Sequence, residues 1–201
     1  MDGALHEAET GNLDRARKEA VAALALPPTH NVQVFAGVAL ARCGDAKRAA
    51  ALADILQKKY PADTMIKKYW VPVILAAAAL DANNPSGAIE VLRAAAPYEL
   101  GAPLLNSGWL YPNYLRGLAY LRLKDGLSAA AEFQKILDHP GVIVNFPIGA
   151  LAHLQLAHAN VLVGDTAAAR KSYQDFLTLW KDADPDIPVL VAAKSEYAKL
   201  R

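Results

Sequence analysis

Five stretches of this chain each begin at a turn, continue as a helix and carry an alanine at the same place. They are GNLDRARKEAVAAL (11–24), GDAKRAAALADIL (44–56), NNPSGAIEVLRAA (83–95), the second half of YLRGLAYLRLKDGLSAAAEFQKIL (114–137) and GDTAAARKSYQDFL (164–177). The equivalent alanines, Ala16, Ala49, Ala88, Ala129 and Ala169, lie 33, 39, 41 and 40 residues apart. Few folds accommodate this. A recurrence every ~20–50 residues marks an architecture of stacked units, each burying its apolar face only against its neighbours.

The unit at 114–137 reads as two helices folded back on each other about a turn near Lys124 to Ser128. Leu115, Leu118, Tyr120 and Leu121 return at helical spacing in the first, and Ala129, Ala130, Phe133, Ile136 and Leu137 in the second. Gly117 is unfavourable inside a helix by about 1 kcal/mol relative to alanine. The expected compensation is close approach, with Ala129 packed against the bare backbone at 117. Candidate first helices precede the other turns: 32–42 with Gly37, 65–80 with Ala76, and 148–163 with Ala157. Gly11-Asn12, Gly44-Asp45 and Gly164-Asp165 supply a residue free to take positive φ, then a cap. Asn84-Pro85 supplies a cap and a first-turn proline, and Pro61 and Pro97 close their units.

The expected fold is therefore all-α: an α-α superhelix of about five helix-turn-helix repeats over a single domain, 1–201. The repeats fall at about 1–27, 31–61, 64–97, 110–138 and 148–180, the first incomplete, with a capping helix at 187–201. In that last helix Val189, Leu190, Ala193, Tyr197 and Leu200 form one face, and Lys194, Glu196, Lys199 and Arg201 the watered one. Two insertions are individual to this chain. In 97–113, PYELGAPLLNSGWLYPN, the apolar residues Tyr98, Leu104, Leu105, Trp109 and Tyr111 suit a loop laid over neighbouring helices. In 139–147, HPGVIVNFP, Val142, Ile143, Val144 and Phe146 are expected to cover a repeat junction.

Composition narrows the function classes. A net charge of +1 provides no field that steers the chain to nucleic acid or an anionic membrane. Lys58, Lys59, Lys67 and Lys68 form the one basic cluster and read as solvated helix ends. The apolar run 71–80 contains Pro72 and is too short for a membrane span, which takes roughly 20 residues. The amino terminus lacks the basic opening and apolar core of a secretory signal. A single cysteine, Cys43, excludes an internal disulfide and suits a cytoplasmic setting, where it serves as a small packing residue.

Tests for catalytic and metal-binding sets fail one by one. His6-Glu7 would need histidine at position 10 for a zinc-protease helix, and Thr10 stands there. His153 and His158, five apart, do not share a helix face as chelators do. Asp182, Asp184 and Asp186 alternate as in a calcium loop, but Ile187 occupies the glycine position and Ala193 that of the bidentate glutamate. There is no nucleophile elbow and no phosphate loop, so neither an enzyme nor a cofactor is expected.

The first interval of 33 residues, close to the roughly 34 of a tetratricopeptide repeat, the later ones lengthened by insertions, the small residues at helix crossings and the terminal prolines together resemble tetratricopeptide repeats over nearly the whole chain. Within that class, AAPYELG (95–101), YLRG (114–117), EFQKILDH (132–139) and WKDADPDIP (180–188) resemble the carboxy-terminal repeat region of large bacterial eukaryotic-like serine/threonine kinases and related winged-helix regulators. The resemblance implies a non-catalytic tail of a signalling protein; the kinase HRD and DFG segments are absent from this chain. It also implies a concave face lined by first helices that holds a protein or peptide segment. Projected onto the chain, that face takes Asn31, Arg42, Trp70, Tyr111, Tyr114, Arg122 and His158. Its middle positions, Val34, Val38, Val73, Ala77, Tyr114 and Leu118, are not the lysine and asparagine of a carboxylate clamp. An apolar or helical peptide suits it better. The alternative is a spacer or self-association module whose groove is covered by its own loops.

Overall fold

The computed structural model describes residues 3–101 and 110–200; every regular element among them is helical and none is a strand. The expectation of one continuous domain meets a chain that divides into two compact units, one ending at Gly101 and the other beginning at Ala102. The first holds α1 (Gly3–Thr10), α2 (Leu13–Ala25), α3 (His30–Arg42), α4 (Ala46–Lys59), a π-helical turn (Ile66–Trp70), α5 (Val71–Asp81), α6 (Pro85–Leu92) and a 3₁₀ segment (Arg93–Tyr98). The second holds α7 (Tyr111–Arg122), α8 (Gly126–Leu137), the single turn α9 (Pro140–Ile143), α10 (Ile148–Leu162), α11 (Thr166–Leu179) and α12 (Pro188–Lys199).

Within each unit the same packing scheme repeats. Helices pair as hairpins, α1 with α2, α3 with α4 and α5 with α6, then α7 with α8 and α10 with α11. The first helix of each later hairpin packs on both helices before it: α3 on α1 and α2, α5 on α3 and α4, α10 on α7 and α8. The fold is thus all-helical and repeat-like. Ala16, Ala49, Ala88, Ala129 and Ala169 are all fully buried.

The turns explain the sequence period. A left-handed residue sits five positions before each of those alanines: Gly11 (φ 96°), Gly44 (φ 81°), Asn83 (φ 55°), Lys124 (φ 58°) and Gly164 (φ 81°). The next residue then donates its N–H back across the turn, Asn12 to Glu7, Asp45 to Leu40, Asn84 to Ala79, Asp125 to Tyr120 and Asp165 to Asn160, at 2.8–3.0 Å. This six-residue closure satisfies a terminal carbonyl of the outgoing helix. The same residue caps the incoming helix: Asp45, Asn84, Asp125 and Asp165 accept from the backbone N–H three residues on. Hydrogen bonds from Ser128 hold the Asp125 carboxyl below the ordinary carboxylate range.

Lys124 occupies a position that glycine fills in three of the five turns. A side chain in the left-handed region costs roughly 1–2 kcal/mol. Lys124→Gly is accordingly expected to stabilise the second unit by about 1 kcal/mol, less the extra backbone freedom that glycine gains on unfolding. Urea unfolding that showed no gain or a loss would remove the strain argument.

Two expected elements are modified for local reasons. The first helix expected at 65–80 is widened at its start, with the Val71 N–H bonded to the Ile66 carbonyl five residues back. Pro72 is the cause: it has no N–H to donate and its ring crowds the carbonyl four residues earlier, at Lys68. Pro97, expected to stop its repeat, instead lies inside the 3₁₀ segment. Of the apolar residues in the two insertions, Leu104, Leu105 and Trp109 fall outside the described residues. Ile143 and Phe146 are buried as expected, whereas Val144 is 58% exposed.

Candidate functional site

The seven residues expected to line one groove have different fates. Asn31, Arg42 and Trp70 belong to the first unit; Tyr111, Tyr114, Arg122 and His158 belong to the second. Arg42 forks onto Glu9 of α1, Nε to Oε1 at 2.7 Å and Nη2 to Oε2 at 3.2 Å, and the Glu9 side chain has no exposure at all. This ion pair ties the ends of two first helices together. Trp70 is half-buried, edge-on to Phe35 and Tyr69. Tyr111 and Tyr114 are core residues rather than exposed groove walls, packed against each other, Phe146 and Phe133. Arg122 is exposed and Asn31 half-buried.

His158 binds inside the second unit too. Its Nδ1 lies 3.0 Å from Oε1 of Gln155 and its Nε2 lies 2.8 Å from Oε2 of Glu196. Glu196 was expected to face water. It follows Ala193 by three residues, so it shares the inward stripe of α12 with Leu190 and Ala193, and it also accepts from the Tyr173 hydroxyl at 3.1 Å. Burial, reinforced by Glu196, pushes the Tyr173 phenol well above its ordinary range. The cluster fastens α12 to α10 and α11.

An open concavity lies elsewhere, on a face that the repeat projection did not select. A furrow of about 580 Å³ runs between α8 and α11 with α10 as its floor. Ala130, Ala131, Gln134 and Leu137 form one wall, and Ala168, Lys171, Ser172 and Asp175 the other. A second cavity of about 480 Å³ continues it, lined by Ile143, Val144, Phe146, Leu179 and Trp180 among others. Leu137 and His153 line both. Alanines on the walls keep the channel open, and the pairing of α8, α10 and α11 fixes its width.

The polar groups of the furrow are mostly satisfied by one another. Lys171 Nζ is 2.7 Å from Oδ2 of Asp175, Gln134 donates to Asp138 at 2.8 Å, and Asn160 reaches the Ser172 hydroxyl at 3.4 Å. His153 differs. Its Nδ1 stands 3.9 Å from Asp175, beyond hydrogen-bond range, and the ring makes no hydrogen bond to a described residue. Burial draws its pKa below the ordinary 6.5; Asp175 opposes that shift and Lys171 adds to it. At the rim, Val144 adopts φ 55°, rare for a β-branched residue and a kind of strain that clusters at functional sites.

Scans against protein-family models, curated proteins and solved structures found no match. Among the described residues no group of three or more His, Cys, Asp or Glu side chains is placed to hold a metal ion. No helix among them is long and apolar enough to cross a membrane. Cys43 is buried with Ala8 and Ala16, and that burial raises its thiol pKa, disfavouring the thiolate needed for nucleophilic chemistry. Lys58, Lys59, Lys67 and Lys68 are all exposed, and Lys58 pairs with Asp54 at 2.7 Å.

The furrow went unseen in sequence because its walls come from second helices of two successive hairpins. Their outward alanines, Ala130, Ala131 and Ala168, look like ordinary helix filler. The one legible signal was the run of aliphatics and proline at 139–147.

Proposed function

We propose that this chain is a non-catalytic binding scaffold of the tetratricopeptide type, the tail of a signalling protein, and that it holds an apolar, helical protein segment. The observation that carries the reading is the α8–α10–α11 furrow, an open channel whose wall charges are already paired. Such a surface suits an occupant that contributes apolar area and no net charge. The repeating turn and the buried alanines support the repeat class. The segments at 95–101, 114–117, 132–139 and 180–188 support the signalling parent by resemblance alone.

Ala131 is exposed on the furrow wall, so Ala131→Arg fills the channel without disturbing the core. Panning the full chain against a displayed library of helix-forming peptides is expected to select apolar-faced binders. Their affinity should fall at least about tenfold in A131R, the equivalent of roughly 1.4 kcal/mol. Binders indifferent to A131R would sink the reading.

A second reading, self-association, has its own support. Leu123, Leu127, Val161, Leu162 and Val163 are all exposed at the α7–α8 and α10–α11 turns, Leu127 by 75%. Aliphatic residues clustered in this way are a candidate interface. Light scattering across a concentration series separates the two: a constant monomer mass removes this alternative.

A further inference from the structure

The floor of the furrow carries one titratable group, which an occupant would seal from water. His153 sits on the floor helix where the two cavities join, so a segment lying along the channel crosses it whichever way it runs. In the free chain its side chain keeps a quarter of its exposure. The charged side chains of the lining are Lys171 and Asp175 of α11, already paired to each other. The α8 wall contributes only the neutral Gln134, the segment 140–147 and Trp180 contribute no charge, and α7 and α12 contribute no residue to the lining. Asp175, the one carboxylate of the lining, stands 3.9 Å from the ring and is shared with Lys171, so it offsets only part of the cost of an imidazolium once water is excluded.

We infer that an apolar helical segment seated in the furrow is held more tightly while the His153 ring is neutral, so that acidification loosens it. The inference rests on the furrow being the binding site, as proposed above. Covering a charged ring with apolar surface costs desolvation energy that a neutral ring avoids. Binding to the protonated chain is therefore weaker, or proceeds with loss of the proton. The neutral ring still offers one donor and one acceptor nitrogen. With Asp175 on the Nδ1 side, the tautomer with its proton there is favoured and Nε2 is left as the acceptor. An occupant serine or backbone N–H reaching that nitrogen would strengthen the discrimination.

The sign follows from linkage. In the free chain the ring already titrates below 6.5 because it is partly buried. The occupant lowers it further. Affinity is then constant at neutral pH, falls as pH drops through the free-state value, and levels off below the bound-state value. Each unit of pKa difference between the two states gives up to about tenfold in affinity.

The test uses the full chain and a rhodamine-labelled, uncharged amphipathic peptide of about 14 residues, with leucine and alanine on one face and glutamine and serine on the other. Anisotropy titrations at about pH 7.5 and about pH 5 are expected to show a several-fold loss of affinity on acidification. His153→Gln should abolish that pH dependence, and A131R should abolish binding at both pH values. The His153 Cε1–H resonance should also titrate at lower pH when the peptide is saturating. If H153Q loses affinity with acid as the parent chain does while A131R still blocks binding, His153 is not the switch and the furrow reading survives. If A131R binds normally, the furrow reading itself falls. If the peptide fails to bind and A131R instead disperses a dimer, the occupant is a second copy of the chain and the inference is overturned.

Discussion

Glu132→Ala is expected to lower the unfolding free energy of the second unit by about 2–3 kcal/mol, the cost of taking a charged acceptor away from buried donors. Glu132 of α8 accepts from Arg116 Nε at 2.8 Å, Arg116 Nη2 at 2.9 Å and Asn113 Nδ2 at 2.8 Å. The Arg116 and Glu132 side chains are 11% and 18% exposed, and Asn113 is fully buried. The Oδ1 of Asn113 already lacks a hydrogen-bond partner among the described residues. Taking away Glu132 removes the acceptor that Arg116 and Asn113 share at the α7–α8 junction, where water cannot fully replace it. Glu132→Gln, which keeps one acceptor oxygen, should cost distinctly less. Urea unfolding of the full chain measures both. A Glu132→Ala loss below about 1 kcal/mol would show that the pair behaves like a solvated surface bridge.

Gly117→Ala is expected to destabilise by about 1–3 kcal/mol, against the roughly 1 kcal/mol that helix propensity alone would gain. A Cβ at 117 would lie 2.5 Å from both Cε1 and Cζ of Phe133, well inside contact distance. That ring is fully buried and also meets Tyr114 edge-on at 6.0 Å, so it cannot swing away without disturbing α7. At Gly37 the nearest atom to an added Cβ is the terminal Cδ1 of Ile74 at 2.9 Å. A flexible aliphatic end yields more readily than an aromatic ring, so Gly37→Ala should cost less. In a double-mutant cycle, Phe133→Leu should recover part of the Gly117→Ala loss, because the smaller side chain vacates the space the methyl needs. Purely additive losses would mean that the ring is not the obstruction.

The close approach at Gly117 was legible from sequence, but its partner was not. Ala129 is buried as expected, yet the atoms that press on the bare backbone belong to Phe133, one turn further along the same stripe. Helical periodicity specifies a face; which member of that face fills a gap depends on the crossing of the two helices. Similar reasoning covers the binding residues. Tyr111, Tyr114, Arg42 and His158 are chemically suited to a groove, and each is engaged in internal contacts. Nothing in one sequence distinguishes an aromatic side chain that awaits a ligand from one that fills a core.

What the sequence by itself determined is local and recurrent. The left-handed turn residue, the cap after it and the alanine five positions past the turn are short-range requirements, satisfied by conformational freedom and hydrogen-bond capacity within a few residues. Hence the helices could be placed to within a few residues at most ends. Tertiary structure decided the long-range pairings: Arg42 with Glu9, Glu132 with Arg116 and Asn113, Glu196 with His158 and Tyr173. It also decided that the space between α8 and α11 stayed open, because a furrow is the space left between helices, set by their separation and by side chains that three distant stretches of chain do not supply.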